Sequence, residues 1–229
     1  MTKFCFDCDD TLYDSQASFR KSIDKIGLNI NMDLSAFFKI YRKMGDRIFE
    51  LEHNHIITTD DVGIYRIYAA CKELGIPLSL EQAVDLQDNY KYFQNHITMH
   101  PILHKFFSTT SSEIAILTNG QEEYQKKKVR TLGMYDYIED SSVYSSEGIG
   151  YSKPDIQAFQ TLASKFNSDV SEWYYIGDNY VKDMEGAKNA GMHTIHMNRH
   201  HNDEGPMSDY VVYSEEELVS LLKKIESNQ

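Results

Sequence analysis

Phe4-Cys5-Phe6-Asp7-Cys8-Asp9-Asp10-Thr11-Leu12 sets the pattern for the whole chain. A short apolar run without alternation ends abruptly in carboxylates. Such a run reads as a strand buried on both faces of a parallel sheet, where helices cover both sides. Two later stretches repeat the design. Ile114-Ala115-Ile116-Leu117 runs into Thr118-Asn119-Gly120, and Tyr174-Tyr175-Ile176 runs into Gly177-Asp178. His193 to Met197 and Tyr210-Val211-Val212 are further strand candidates. Helical stretches run from about Gln121 to Leu132, from about Asp183 to Ala190 and from about Glu215 to Ile225. Strands alternating with helices predict an α/β fold with a parallel sheet.

Between the first strand and Pro101 the rhythm is purely helical. Phe37, Tyr41, Met44, Ile48 and Leu51 recur at spacings of four and three, which predicts one apolar stripe on one helix, with Asp33 as its N-cap. Ile64, Ile67, Tyr68, Cys71 and Leu74 repeat the spacing, and Gly75 with Pro77 stops that helix. Ser79 with Gln82 forms a capping box for another, through about Tyr92. The expected organisation is an α/β core of residues 1–13 and 99–229, with an all-helical domain, residues 14–98, inserted after the first strand.

Composition narrows the classes. The chain has 229 residues, 12 glycines, 3 cysteines and 41% hydrophobic content, which excludes collagen-like, disulfide-scaffold and disordered proteins. Its formal net charge of -12 argues against a nucleic-acid polymer as partner, because phosphate backbones are bound chiefly by Lys and Arg. No run approaches the roughly 20 apolar residues of a membrane span, and the N-terminus lacks the apolar stretch of a secretory signal. With an odd number of cysteines and no secretory context, a cytoplasmic protein with reduced thiols is expected. A monomer or homodimer is the expected assembly.

Ligands of open parallel sheets sit outside the carboxyl ends of the strands. Adjacent loops there would collect Asp7, Asp9, Asp178 and Asp183. Two carboxylates about 4 Å apart repel by about 4 kcal/mol at an effective dielectric of 20, so the group calls for cations. Mg²⁺ takes oxygen ligands and keeps several waters, so a few carboxylates plus a substrate phosphate suit it. Lys153, in Ser152-Lys153-Pro154-Asp155, is the natural second cation.

These residues resemble the four motifs of the haloacid dehalogenase-like (HAD) superfamily. Asp7-Cys8-Asp9-Asp10-Thr11-Leu12 is similar to the first, Thr118 after Ile-Leu to the second, Lys153 in Ser-Lys-Pro-Asp to the third, and Gly177-Asp178 with Asp183 to the fourth. The resemblance implies a parallel Rossmann-like sheet flanked by helices, with residues 14–98 as a helical cap. It implies a Mg²⁺-dependent phosphatase acting through an aspartyl-phosphate. Asp7 would be the nucleophile and Asp9 the acid and base. Thr118, Asn119 and Lys153 would contact the phosphoryl group. Asp7, the main-chain carbonyl of Asp9 and Asp178 would hold the metal, with Asp183 acting from close by or orienting Lys153. Asp9 sets the chain apart from the dehalogenases, which lack that aspartate. Asp10 receives no catalytic role.

A helical cap between the first and second motifs implies a small phosphorylated metabolite as substrate. The stretch Phe49 to Thr58, followed by Tyr65-Arg66, is similar to the cap of pyrimidine 5′-nucleotidase-like members. Nucleoside monophosphates and sugar phosphates both stay open. Two alternatives differ in class: a phosphomutase of similar architecture, and a non-catalytic protein that binds a phosphorylated ligand. Arg47, His53 and Arg66 are candidates for substrate contacts. Cys5 and Cys8 read as packing around the nucleophile rather than as a redox pair. His96, His100 and His104 read as solvated or core residues, because Pro101 interrupts their helical spacing. Lys126-Lys127-Lys128 reads as a solvated helix face.

Overall fold

A computed structural model describes residues 1–228. The chain divides into two compact units, one of residues Met1–Asp14 and Thr98–Gln229, the other of Ser15–Ile97.

The first unit is built on six parallel strands: β1 (Lys3–Phe6), β2 (Glu113–Thr118), β3 (Val143–Ser145), β4 (Trp173–Gly177), β5 (His193–Met197) and β6 (Tyr210–Val212). Their order in the sheet is β3-β2-β1-β4-β5-β6. β1 is central, with Phe6 beside Ile116 of β2 on one side and Ile176 of β4 on the other. The short β3 was not anticipated, since Val143-Tyr144-Ser145 carries too little apolar signal to stand out.

Both sheet faces are covered, which explains the unbroken apolar runs. On one face Cys5, Leu117 and Tyr175 pack with Phe159, Leu162 and Ala163 of the helix Ile156–Lys165. On the other, the rings of Phe4 and Phe6 meet Phe106 and Phe107 of the helix Pro101–Phe107, at centroid distances of 6.2 and 5.2 Å. Burial of one such side chain contributes roughly 1.5–3 kcal/mol.

The second unit consists of the helices Ser15–Ile26, Leu34–Asp46, Phe49–His53, Thr59–Glu73 and Leu80–Gln94. Asp33 caps the second of these, accepting from the Ala36 N–H, and Ser79 with Gln82 closes the capping box of the last. The core gathers Phe19, Phe37, Phe38, Tyr41, Met44, Ile67 and Leu86. The single stripe expected from Phe37 to Leu51 does not form. The helix ends at Asp46, and Leu51 is 40% exposed on a separate short helix. Gly45 is the local cause. It weakens the last turn, and Arg66 lies so close that a Cβ there would come within 2.1 Å of its Nε.

No helix among the described residues is long and apolar enough to cross a membrane.

Candidate active site

The site lies at the carboxyl ends of β1, β2 and β4. Asp7 continues β1 by one more ladder bond, its N–H donating to the Ile176 carbonyl at 2.8 Å. The chain then turns, with Leu12 N–H donating back to Cys8 O at 3.1 Å and Asp10 in the left-handed region at φ 62°. A short polar side chain tolerates that conformation better than most. Arg199 clamps the turn from outside: Nε donates to Asp10 O at 3.0 Å, Nη2 to Thr11 O at 3.2 Å, and Nη1 pairs with Glu215 at 2.8 Å. The buried Asp10 carboxylate meets His200 Nε2 at 3.2 Å. Asp10 therefore has a structural task, holding the loop that presents Asp7 and Asp9.

Lys153 is the hub. Its Nζ donates to Asp7 Oδ1 at 2.8 Å, Asp183 Oδ1 at 2.7 Å and the Tyr175 hydroxyl at 2.7 Å. An ammonium has three donors, and all three are used. The Tyr175 hydroxyl donates onward to Leu117 O at 2.8 Å. Asn119 fixes the Lys153 main chain from both sides: its Oδ1 accepts from Lys153 N–H and its Nδ2 donates to Lys153 O, each at 2.9 Å. The side chain expected to contact substrate thus commits both ends of its amide to positioning Lys153. Thr118, at the end of β2, is buried.

Asp178 and Asp183 arrive from β4. Asn179 caps the turn that follows, accepting from Lys182 N–H at 2.9 Å. The helix begins earlier than expected, as a wide π-helical turn over Tyr180–Glu185. That turn points Asp183 back at the strand, where its Oδ2 accepts from Asn179 N–H at 2.9 Å. Gly177 is required here, since a Cβ would lie 2.4 Å from Asp183 Oδ2. His196 supports the Asp178 main chain through Nε2 at 2.9 Å. A carbonyl only accepts, so the proton sits on Nε2.

Asp7, Asp178 and Asp183 are all buried, and each offers a carboxylate oxygen within 4.8 Å of the others. Burial pushes the Asp7 carboxyl up to about 6, with Lys153 pulling it down and Asp183 and Asp9 adding to the rise. Burial alone would pull the Lys153 ammonium down; Asp183 and Asp7 instead carry it above its usual range. One ammonium among three buried carboxylates leaves the group acidic in character. An all-oxygen, anionic donor set of this kind suits a hard divalent cation.

Asp9 is placed differently. Both its carboxylate oxygens accept from Lys128 Nζ at 2.7 Å, and its Oδ1 also accepts from the Tyr13 hydroxyl. Lys128 is buried, which corrects the expectation of a solvated lysine face. Of that run, Lys127 is exposed and Lys126 pairs with Glu122 and Asp140, while Lys128 turns inward. The available signal was the spacing of Gln125, Lys128, Val129 and Leu132, which shares one face of the helix Glu122–Thr131 with buried neighbours. Tyr175, His196 and Arg199 were also missed, and each acts through a partner distant in sequence.

A family model described as a haloacid dehalogenase-like hydrolase matches residues 2–191. The chain belongs to this family. Among its relatives, the putative HAD-hydrolase YfnB of Bacillus subtilis is 26% identical over 84% of this chain and 82% of its own. The solved YfnB structure, described as bound to magnesium, has a TM-score of 0.70 at 22% identity, covering 96% of this chain and 98% of that one. A glyceraldehyde 3-phosphate phosphatase of Methanocaldococcus jannaschii is 25% identical over 97% of both chains. The pyrimidine 5′-nucleotidase YjjG of Escherichia coli is 33% identical over 50% of this chain and 51% of its own.

Other candidates in this HAD-like hydrolase have local partners. His96 meets the Tyr92 carbonyl, His100 caps the helix Pro101–Phe107, and His104 meets the Tyr137 hydroxyl at 2.9 Å. Cys5, Cys8 and Cys71 are free and buried, and burial pushes all three thiols up. Arg47 pairs with Glu73 at 3.3 Å on the surface, and Arg66 lies 5.7 Å from the Tyr41 ring centroid. The side chain of His53 lies outside the described residues.

Proposed function

We propose that this HAD-like hydrolase is a Mg²⁺-dependent phosphatase that cleaves a small phosphomonoester through an aspartyl-phosphate on Asp7. The observation that carries this reading is the Lys153 ammonium shared by Asp7 and Asp183, with Asp178 in the same buried group and Asp9 two residues from the nucleophile. Residues 1–13 and 99–229 are its core, residues 14–98 its cap domain, and the cytoplasm its location.

In the first half-reaction an Asp7 carboxylate oxygen attacks phosphorus. The bond from phosphorus to the leaving oxygen breaks, and Asp9 gives that oxygen its proton. In the second half, Asp9 takes a proton from water as the water oxygen bonds to phosphorus. The bond to Asp7 breaks, freeing inorganic phosphate and restoring both side chains. Lys153 neutralises charge on Asp7 and on the phosphoryl oxygens, and the Thr118 hydroxyl holds one of those oxygens. Asn119 and Tyr175 keep Lys153 in place. Asp7, Asp178 and the Asp9 main-chain carbonyl would hold Mg²⁺, with Asp183 beside them, and the ion supplies charge neutralisation for phosphoryl transfer.

The names of the relatives support a small phosphorylated metabolite as substrate, with nucleoside monophosphates and sugar phosphates as the first classes to try. The test is phosphate release from p-nitrophenyl phosphate and a panel of both classes, with Mg²⁺ and with EDTA. Mg²⁺-dependent release, lost in Asp7→Asn, is the expected outcome. Folded, Mg²⁺-bound protein that releases no phosphate from any of them would overturn the reading.

A further inference from the structure

Lys128 is an anomaly for stability alone. Desolvating an ammonium is costly, and a well-packed apolar residue of similar volume is often as stabilising as a buried ion pair. Yet the Lys128 side chain is only 6% exposed, while its partner Asp9 is 28% exposed. The cation is enclosed and the carboxylate remains reachable. Both Asp9 oxygens are held at 2.7 Å by one Nζ, which also lies 4.8 Å from the Tyr124 ring centroid. The Tyr13 hydroxyl donates to Oδ1 from the same loop as Asp9. Lys128 itself sits in the helix Glu122–Thr131, anchored by its buried neighbours Gln125 and Val129. The Gln125 amide donates to Asn119 O at 3.0 Å, which links this helix face to the loop after β2.

We propose that Lys128 is the positioning residue for the proton-transfer group, fixing the Asp9 carboxylate in the orientation from which it serves the leaving oxygen and then the attacking water. This inference rests on the phosphatase reading above. Lys128 touches neither phosphorus nor the leaving group and acts through Asp9.

The test compares kcat/KM for p-nitrophenyl phosphate and phenyl phosphate, similar in size but different in leaving-group basicity. A nitrophenolate departs with little help from an acid, whereas a phenolate needs one. Because kcat/KM reports steps through departure of the leaving group, a misaimed acid shows there. Lys128→Met should lower the phenyl phosphate value by about 10²-fold and the p-nitrophenyl phosphate value only a few-fold. Lys128→Arg, which keeps the charge, should recover part of the loss. In Asp9→Asn, adding Lys128→Met should cost little more, since the two act as a unit. Thermal melting of each variant establishes that it is folded. An active wild type whose Lys128→Met loses both substrates equally, or neither, would overturn this inference alone. A wild type without phosphatase activity would overturn the parent reading and this inference together.

Discussion

Lys153 and Lys128 are both buried lysines facing carboxylates, but their surroundings are opposite. Lys153 is enclosed together with its partners: its side chain is 3% exposed, and Asp7 and Asp183 are 8% and 1% exposed. Its three donors go to three different groups. Lys128 directs two contacts to one carboxylate that is itself 28% exposed. The closed arrangement buries both members of each ion pair. The open one holds a single side chain at an angle and leaves it reachable. The same ion-pair chemistry thus serves two ends, and the exposure of the carboxylate distinguishes them.

The strongest break of this comparison is at the closed site. Asp7→Asn should lower Mg²⁺-dependent phosphate release by on the order of 10⁴-fold or more, because it removes the nucleophile. Near-normal release would remove Asp7 from the chemistry.

Removing each lysine contrasts the two sites in stability. Lys153→Met strands Asp7 and Asp183 in a buried setting and should cost about 3–5 kcal/mol in denaturant unfolding. Lys128→Met leaves Asp9 access to water and should cost about 1 kcal/mol. Equal losses would contradict the distinction drawn between closed and open pairs.

The closed site also carries a pH signature once metal is removed. The fold raises Asp7 to about 6, above the roughly 3.9 of an unfolded aspartate, so the ionised form is disfavoured in the folded state. That penalty is absent below about pH 4 and complete above about pH 6. In EDTA, Asp7→Asn should therefore be more stable than wild type at pH 7.5 by on the order of 2 kcal/mol, with the gap closing by pH 4. Melting curves across this range check it, and a less stable variant at pH 7.5 would contradict it.

His200 gives the smallest and most graded effect. Burial lowers its pKa, but Asp10 and Asp14 reverse that and raise it to about 9, above the usual 6.5. Its stabilisation is therefore full below about pH 6.5 and lost as the pH rises through about 9. Because Asp14 is largely exposed, the loss should be on the order of 1 kcal/mol, read as a fall in Tm between pH 6.5 and 9.5. His200→Gln should flatten that fall.

How much of the site could be read in advance depends on where each residue's partner sits. Asp7, Thr118, Asp178 and Asp183 stand directly after or near apolar strands, so local pattern alone placed them at one edge of a parallel sheet. Asn119 is legible as a polar residue after a strand, but its bonds to Lys153 depend on two loops meeting 34 residues apart. The lysine run itself does not distinguish Lys128 from its neighbours; only its spacing with Gln125, Val129 and Leu132 does. Its partner lies 119 residues away. In sequence Tyr175 is an ordinary strand residue; its role comes from a hydroxyl that bridges Lys153 and the Leu117 carbonyl. The stripe from Phe37 to Leu51 failed for the same reason, since Gly45 admits Arg66 from another helix.

By itself, then, the sequence determined the alternation of strands and helices, the parallel sheet and the acidic strand ends. These follow from short-range periodicity and from the turn and cap chemistry of neighbouring residues. The tertiary structure alone decided which carboxylate each buried lysine meets, which of those carboxylates keeps part of its surface exposed, and which polar side chains position others. A side chain's charge is written in the sequence, but its desolvation and its partner exist only after distant segments pack together.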